Sequence, residues 1–132
     1  MKTKKEDFPE FIYRFKVEKV IDGDTLILSI DLGHWLEKKH LKVRLDRINA
    51  PELRGSKRKE GKSSKMFLKS LFKYNEVNAQ RIKFSSLKGR YGRFIAEIYI
   101  KGKDKKWFNL NDFLVEKKYA KRKIYGKNKK RK

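Results

Sequence analysis

Residues 11–30 read FIYRFKVEKVIDGDTLILSI, and the rest of the architecture can be worked out from them. The first half alternates apolar and charged side chains, which is the period-two pattern of a strand with one buried face. Asp22-Gly23-Asp24 then predicts a tight turn, because Asp-Gly is typical of hairpin turns. A second apolar run follows at once. The stretch therefore predicts a β-hairpin that carries two carboxylates at its turn.

Further strands and helices are predicted downstream of this hairpin from apolar spacing and from turn residues. In chain order they are a loop at 31–40, a strand at 41–48, a helix at about 63–74, strands at 80–84 and 93–100, and a helix after Asn109. The side chains of Met66, Phe67 and Leu71 recur at helical spacing and are assigned to the core. Asn109 is a suitable N-cap for the second helix.

Three strands, a helix, two strands and a helix predict a mainly β fold with helices. Five strands of this length leave exposed edges as a flat sheet, and closure into a barrel removes them. We therefore expect a five-stranded Greek-key barrel of the OB-fold type, with a helix between strands three and four and a C-terminal helix. The expected domain covers residues 11–125, between a flexible N-terminus at 1–10 and a basic tail at 126–132.

The charge is strongly basic, with 38 Lys and Arg against 16 Asp and Glu, a formal charge of +22 on 132 residues. Ten of these cations and no acid lie in residues 117–132. Nine Phe, six Tyr and two Trp supply core material, which excludes a disordered polybasic chain. The absence of cysteine excludes disulfides, a thiolate zinc site and thiol catalysis. Such a charge favours a polyanionic partner, DNA or RNA first, over an anionic membrane surface or merely solubilising lysines.

Membrane insertion and secretion are not expected. No apolar run approaches the ~20 residues of a membrane span. The N-terminal residues contain no apolar segment of the kind found in signal peptides, which predicts a cytoplasmic protein. Repulsion between like charges favours a monomer.

Several polar residues near strand ends form a set that suits phosphodiester hydrolysis. The stretches Asp22-Gly23-Asp24-Thr25 and Asn49-Ala50-Pro51-Glu52 carry carboxylate, amide and carbonyl oxygens, which suit a hard cation such as Ca²⁺ or Mg²⁺. Arg44 and Arg93 suit a phosphate, because the guanidinium fork matches its oxygens. Glu52 can orient or deprotonate a water molecule beside a metal.

Each of these residues also has a simpler interpretation. The two aspartates can be turn formers, Arg44 can pair with Asp46 on the surface, and Glu52 can be an exposed loop acid. Taken together, the set favours a function.

The histidines and tryptophans carry weaker signals. His34 and His40 lie six residues apart, which does not place them on one helical face, so we expect solvated loop histidines. Trp35 and Trp107 can stack on bases, but packing is the favoured interpretation.

Four motifs in order resemble the staphylococcal nuclease family, over residues 15–125. They are Ile21-Asp22-Gly23-Asp24-Thr25, Val43-Arg44-Leu45, Ile48-Asn49-Ala50-Pro51-Glu52 and Arg90-Tyr91-Gly92-Arg93. The resemblance implies an OB-fold hydrolase of the thermonuclease type, an endonuclease that cleaves DNA and RNA to 3′-phosphate products. Its best-known member uses Ca²⁺, and Mg²⁺ or Mn²⁺ are the alternatives here.

The resemblance also implies a role for each matching residue. By position, Asp24, Asn49 and the carbonyl of Ala50 are metal ligands, and Asp22 acts through water. Glu52 handles the attacking water.

The remaining matches concern the substrate. Arg44 and Arg93 bind the phosphate. Arg90, Tyr91 and Tyr125 line the nucleotide pocket, although Tyr91 can equally pack on the barrel. The last helix of the family is replaced here by the basic tail, which can be a phosphate grip, an address or a docking arm.

Asn49 departs from the best-known member of the family, which has a carboxylate at this position. The amide oxygen still coordinates Ca²⁺ but removes one negative charge, which weakens metal affinity. Two functions follow from the sequence. The first is a metal-dependent nuclease, and the alternative is a catalytically weakened OB-fold module that binds nucleic acid.

Overall fold

The computed structural model describes residues 12–75, 79–86 and 94–123. The strands in these residues are β1 (Ile12–Asp22), β2 (Thr25–Gly33), β3 (Leu36–Leu45), β4 (Ile48–Asn49), β5 (Gln80–Ser86), β6 (Phe94–Lys101), β7 (Trp107–Asn109) and β8 (Lys121–Arg122). The helices are α1 (Arg58–Tyr74) and α2 (Leu110–Glu116), and a 3-10 turn covers Gly55–Lys57. The predicted termini, residues 1–10 and 126–132, lie outside the described residues.

The five long strands close into a barrel. They pair in the order β3-β2-β1-β5-β6, and β3 also pairs with β6. This closing contact is parallel and joins Val43 to Phe94, while the other ladders are antiparallel. The predicted mainly β, OB-fold type architecture is therefore confirmed. The short strand β7 extends the sheet beyond β6, and β4 pairs with β8 in a separate two-stranded sheet.

The barrel is filled by the inward faces of these strands and by buried side chains of both helices. Fully buried side chains include Phe15, Leu28, Leu45, Ile82, Ile98, Leu68 and Leu110. Period-two alternation on β1 and β6 places these residues inside, as the sequence predicts. Burying large aliphatic side chains contributes about 1.5–3 kcal/mol each, which offsets the self-repulsion of the basic surface.

Residues 31–40 are not the predicted loop but the outer half of a long β2–β3 hairpin. All ten residues are exposed, and Trp35 is 99% exposed rather than packed. The hairpin turns at His34 and Trp35, whose φ angles of 53° and 63° define the left-handed conformation of a two-residue turn. The sequence signal is weak because Asn and Gly normally occupy such turns.

The base of this hairpin is held by hydrogen bonds between His40 and Glu18. His40 is exposed, as expected, and its Nδ1 lies 2.6 Å from Glu18 Oε1. Its backbone N–H also donates to the Glu18 carboxylate, at 3.2 Å.

The two helices pack against the barrel, and the structure corrects one residue predicted to be buried in α1 and confirms the predicted N-cap of α2. Helix α1 begins five residues earlier than expected and buries Leu68, whereas Met66 is 58% exposed, so its assignment to the core is wrong. Phe67 and Leu71 are partly buried against the core. Asn109 caps α2 as predicted, because its side chain accepts the Asp112 N–H at 3.0 Å. Among the described helices, none is both long and apolar enough to cross a membrane.

Candidate active site

The turn between β1 and β2 places two carboxylates at one end of the barrel. The backbone N–H of Asp24 donates to Asp22 Oδ1 at 3.0 Å, which fixes the turn locally. Gly23 serves close packing here rather than a left-handed backbone. A Cβ at this position would lie 2.7 Å from the Cβ atoms of both Ala50 and Ser64. Only glycine lets the turn sit between the site and helix α1.

Asp24 is the most buried ionisable group of this end, at 8% exposure. Its Oδ1 accepts the Thr25 hydroxyl at 3.0 Å, and its Oδ2 accepts the Ala50 N–H at 2.7 Å. Burial first, and then the Asp22 carboxylate, raise the pKa of Asp24 to about 6, against the opposing effect of the Arg44 guanidinium. A buried carboxylate with a raised pKa in a cluster of polar groups is typical of functional sites.

Arg44 lies behind this carboxylate and is oriented by backbone carbonyls. Its Nη1 donates to the carbonyls of Leu45 at 2.9 Å and Ile48 at 2.8 Å, and lies 3.4 Å from Asp24 Oδ2. Its Nη2 donates to Asn49 Oδ1. The side chain is only 15% exposed, so the simpler interpretation of a surface ion pair does not apply. These bonds fix the guanidinium plane before any ligand arrives.

The short strand β4 brings Asn49 and Ala50 to the same place. Asn49 bonds Arg44 and Ala50 bonds Asp24, so hydrogen bonds link residues from three separate predicted motifs. β4 is held from its other side by β8, where Asn49 pairs with Lys121.

Arg47 fixes the chain just before β4, and the sequence analysis missed it. Its Nε and Nη2 donate to the two oxygens of Glu97 at 2.8 and 2.7 Å, and its Nη1 donates to Asp112 Oδ1 at 2.8 Å. The residue has a φ of 68°, uncommon for a non-glycine residue. Both acids have lowered pKa values, in each case first through the hydrogen bond from Arg47. No local pattern signals this role, because its partners lie about 50 and 65 residues away in the sequence.

Glu52 lies two residues beyond Ala50, on the wall of a cleft of about 750 Å³. Asn49 and Ala50 line the same cleft. Its other charged lining residues are Arg54, Lys57, Glu60, Lys118, Lys121 and Arg122. Five cations against two acids make the cleft complementary to a polyanion. Glu52 is exposed, as its simpler interpretation expects, but it is exposed into this cleft.

Helix α1 supports the backbone of Glu52 through a second missed residue, Gly61. A Cβ at Gly61 would lie 2.2 Å from the carbonyl oxygen of Glu52 and 2.9 Å from that of Pro51. The helix can therefore approach the Glu52 backbone only because residue 61 has no side chain. Ser64, one turn later, donates to the Tyr119 carbonyl at 2.6 Å and ties the opposite wall of the cleft to the helix.

Four predicted site residues lie outside the described residues: Arg90, Tyr91, Arg93 and Tyr125. The described structure unites Asp22, Asp24, Arg44, Asn49 and Ala50 by direct bonds, with Glu52 close to them in the chain. The β3–β6 ladder then places Phe94, the residue after Arg93, opposite Val43, the residue before Arg44.

The family described as staphylococcal nuclease homologue matches residues 42–132, more than two thirds of the chain. The chain belongs to the staphylococcal nuclease family. A search of curated proteins finds no match. The family match includes Arg44, Asn49 and Glu52, and Asp22 and Asp24 precede it. Membership in the staphylococcal nuclease family indicates a nuclease-like or nucleic-acid-binding function.

The residues at this end fit a hard divalent cation in ligand type. Asp24, Asn49 and the Ala50 carbonyl offer only oxygen atoms, which are the ligands of Ca²⁺ and Mg²⁺. They carry a single formal negative charge between them. Within residues 12–75, 79–86 and 94–123, no three histidine, cysteine or acidic side chains form a group that could hold a metal ion. Oxygen donors with so little negative charge would hold a divalent cation weakly.

Proposed function

We propose that this chain is a metal-dependent nuclease that hydrolyses phosphodiester bonds of DNA or RNA, with Ca²⁺ as the first candidate cation and Mg²⁺ or Mn²⁺ as alternatives. The observation that carries this proposal is the orientation of Arg44. Three of its five N–H groups bond to Leu45, Ile48 and Asn49, and Arg44 has no further hydrogen bond in the described part of the chain. The Nε–H and one Nη2–H remain, and they form a two-pronged donor that suits a phosphate.

The proposed roles follow the oxygen donors and the cations. Asp24, Asn49 and the Ala50 carbonyl hold the cation, and Asp22 acts through water. When bound, a divalent cation polarises a phosphoryl oxygen and stabilises the charge that develops there. Outside the described residues, Arg93 is the second proposed phosphate ligand, and Arg90, Tyr91 and Tyr125 are proposed to contact the nucleotide.

Glu52 is proposed to orient the attacking water and to accept its proton. The water oxygen bonds to phosphorus and the bond from phosphorus to the 5′ oxygen breaks. The departing oxygen takes up a proton from solvent, so that one product ends in a 5′-hydroxyl and the other in a 3′-phosphate. Arg44, fixed by carbonyls before the substrate binds, stabilises the extra negative charge on the phosphoryl oxygens without reorganising in the reaction.

The experiment is cleavage of heat-denatured DNA in Ca²⁺, with EGTA as the blank and Glu52→Gln as the test variant. We expect Glu52→Gln to lose at least about 10²-fold in kcat, as removal of a general base does. Glu116→Gln removes a carboxylate from the exposed end of α2, outside the cleft, and is expected to match the wild type. Cleavage by Glu52→Gln at the wild-type rate would contradict the mechanism.

A second candidate function is a binding module that has lost its chemistry. It is favoured by Asn49, which leaves one carboxylate among the proposed ligands. This alternative predicts no cleavage with Ca²⁺, Mg²⁺ or Mn²⁺ and retention of binding that weakens steeply with salt.

A further inference from the structure

The outer face of strands β1, β5, β6 and β7 carries a row of cations and aromatic rings. In the ladders, Arg14 lies opposite Arg81, Arg81 opposite Tyr99, and Lys101 opposite Trp107. Side chains directly opposite each other in antiparallel strands lie on one face, and every second residue shares it. The alternate residues, such as Ile82, Ile98 and Ile100, are buried in the barrel. We call the five outward residues, Arg14, Arg81, Tyr99, Lys101 and Trp107, the Trp107 face.

Trp107 is an exposed ring held between cationic side chains. It is 43% exposed, in contrast to the packed position that the sequence favours. The Arg81 guanidinium carbon lies 5.2 Å from the ring centroid and the Lys101 Nζ lies 5.9 Å from it. Both distances fit cation–π contacts, which limit the orientations of the indole. An oriented aromatic ring with cations around it is the arrangement on which single-stranded bases stack.

The charge on this face is arranged to receive an anion. Arg14 and Arg81 are directly opposed like charges, which destabilise a sheet. The pKa of Arg81 is lowered, first by burial and then by Arg14. The nearest acid on the same face of β6, Glu97, is neutralised by the two bonds from Arg47. The face is therefore positively charged, which favours an anionic ligand.

This surface lies far from the candidate active site. Ile95 pairs with Arg44, and Lys101 is six residues further along β6. At about 3.3 Å per residue, Lys101, at the far end of the Trp107 face, lies about 20 Å along the strand from the residue that pairs with Arg44. That separation corresponds to about six stacked nucleotides at about 3.4 Å each.

We infer that the Trp107 face is a second binding surface for a single strand of nucleic acid. Phosphates bind Arg14 and Lys101, and a base packs against the exposed part of the Trp107 ring. The inference extends beyond the proposed function, because strand binding at this distance requires no hydrolysis. A long substrate would contact both surfaces, and a dinucleotide only the candidate active site.

The first test uses the intrinsic fluorescence of Trp107. The chain has two tryptophans, so Trp35→Phe leaves Trp107 as the only one. Titration in EGTA with oligodeoxythymidine of about 16 nucleotides is expected to quench its emission, and added salt is expected to reverse the change. Binding seen by anisotropy of a labelled oligonucleotide, with no change in Trp107 emission, would overturn the inference. So would a response to phosphatidylcholine–phosphatidylserine vesicles but none to the oligonucleotide.

The second test removes two charges from the face and, as a control, two from elsewhere. Arg14→Gln with Lys101→Gln is expected to weaken oligonucleotide binding about ten-fold and to lower the slope of log K against log salt by about 1.4. Lys38→Gln with Lys39→Gln removes the same charge from the exposed β2–β3 hairpin, where Asp31 and Glu37 balance these lysines. Equal losses of oligonucleotide affinity in the two double variants would refute specific binding at the Trp107 face.

Cleavage separates this inference from the proposed function. A protein that binds through Trp107 but cuts nothing supports the face and refutes the nuclease. A nuclease whose Arg14→Gln/Lys101→Gln variant cuts long and short substrates as the wild type does refutes the face alone. The expected result is a loss of kcat/KM on long strands with dinucleotide cleavage unchanged.

Discussion

Replacing Arg47 by methionine removes the guanidinium that joins the end of β3 to β6 and α2. The variant loses three charge-assisted hydrogen bonds of 2.7–2.8 Å, to Glu97 and Asp112. Glu97, whose side chain is 19% exposed with Arg47 in place, then keeps one bond within the described residues, from Asn109 at 2.6 Å. A charge-assisted hydrogen bond contributes about 1.5–3 kcal/mol to stability. Because the Arg47 side chain is 31% exposed, hydrogen bonds to water replace part of this stabilisation in the variant.

We expect a net loss of about 2 kcal/mol of unfolding free energy at neutral pH. For a domain of this size that corresponds to a fall in Tm of about 8 °C. Arg47→Lys keeps the charge but loses the planar fork, and is expected to lose about half as much. Arg122→Met is the matched control, because its exposed ion pair with Asp112 contributes under about 0.5 kcal/mol.

The loss should depend on pH in a defined direction. Arg47 holds the pKa values of Glu97 and Asp112 below their ordinary values in the folded state. The resulting stability is present above the unfolded pKa values, about 4, and is lost as pH falls through the folded ones. Urea unfolding followed by circular dichroism, at neutral pH and at about pH 3, measures the difference in unfolding free energy between the variant and the wild type at each pH. Arg47→Met within about 0.5 kcal/mol of wild type at neutral pH, or an undiminished gap at about pH 3, would refute the reasoning.

Two further predictions concern residues around the cleft. Gly61→Ala places a Cβ against the Glu52 carbonyl, so we expect the unfolding free energy measured in urea to fall by about 1–3 kcal/mol. Because Glu52 shifts, kcat is expected to fall about 10²-fold. Wild-type values of both quantities would show that the helix can move away freely. Asn49→Asp places a carboxylate beside Arg44. The variant is expected to need about ten-fold less Ca²⁺ for half-maximal cleavage. An unchanged Ca²⁺ requirement would exclude Asn49 as a ligand.

The alternating strands and the carboxylate turn were predictable because each depends on neighbouring residues. Alternation on β1 and β6 shows which face is buried, and the strand order then favours a closed barrel. The β2–β3 hairpin was missed because its outer residues are exposed on both faces, which removes the alternation that identifies a strand. Its His34-Trp35 turn also lacks the glycine and asparagine that usually accompany positive φ.

Long-range contacts account for what the sequence did not reveal in the candidate site. Gly23 was read as a turn glycine, yet it is required by packing against Ala50 and Ser64. Gly61 and Arg47 act on partners that only the folded chain brings near. Met66 and Leu68 are both apolar and close in sequence, and the depth of each depends on how α1 rotates against β1.

The parallel ladder between β3 and β6 affects the order in which parts of the protein fold. It joins residues about 50 positions apart, and such contacts form late because the intervening loop must close first. At about 5–20 residues per second, the ribosome adds Phe94 several seconds after it adds Arg44. The barrel end that carries Arg44 therefore stays open until the second half of the chain arrives.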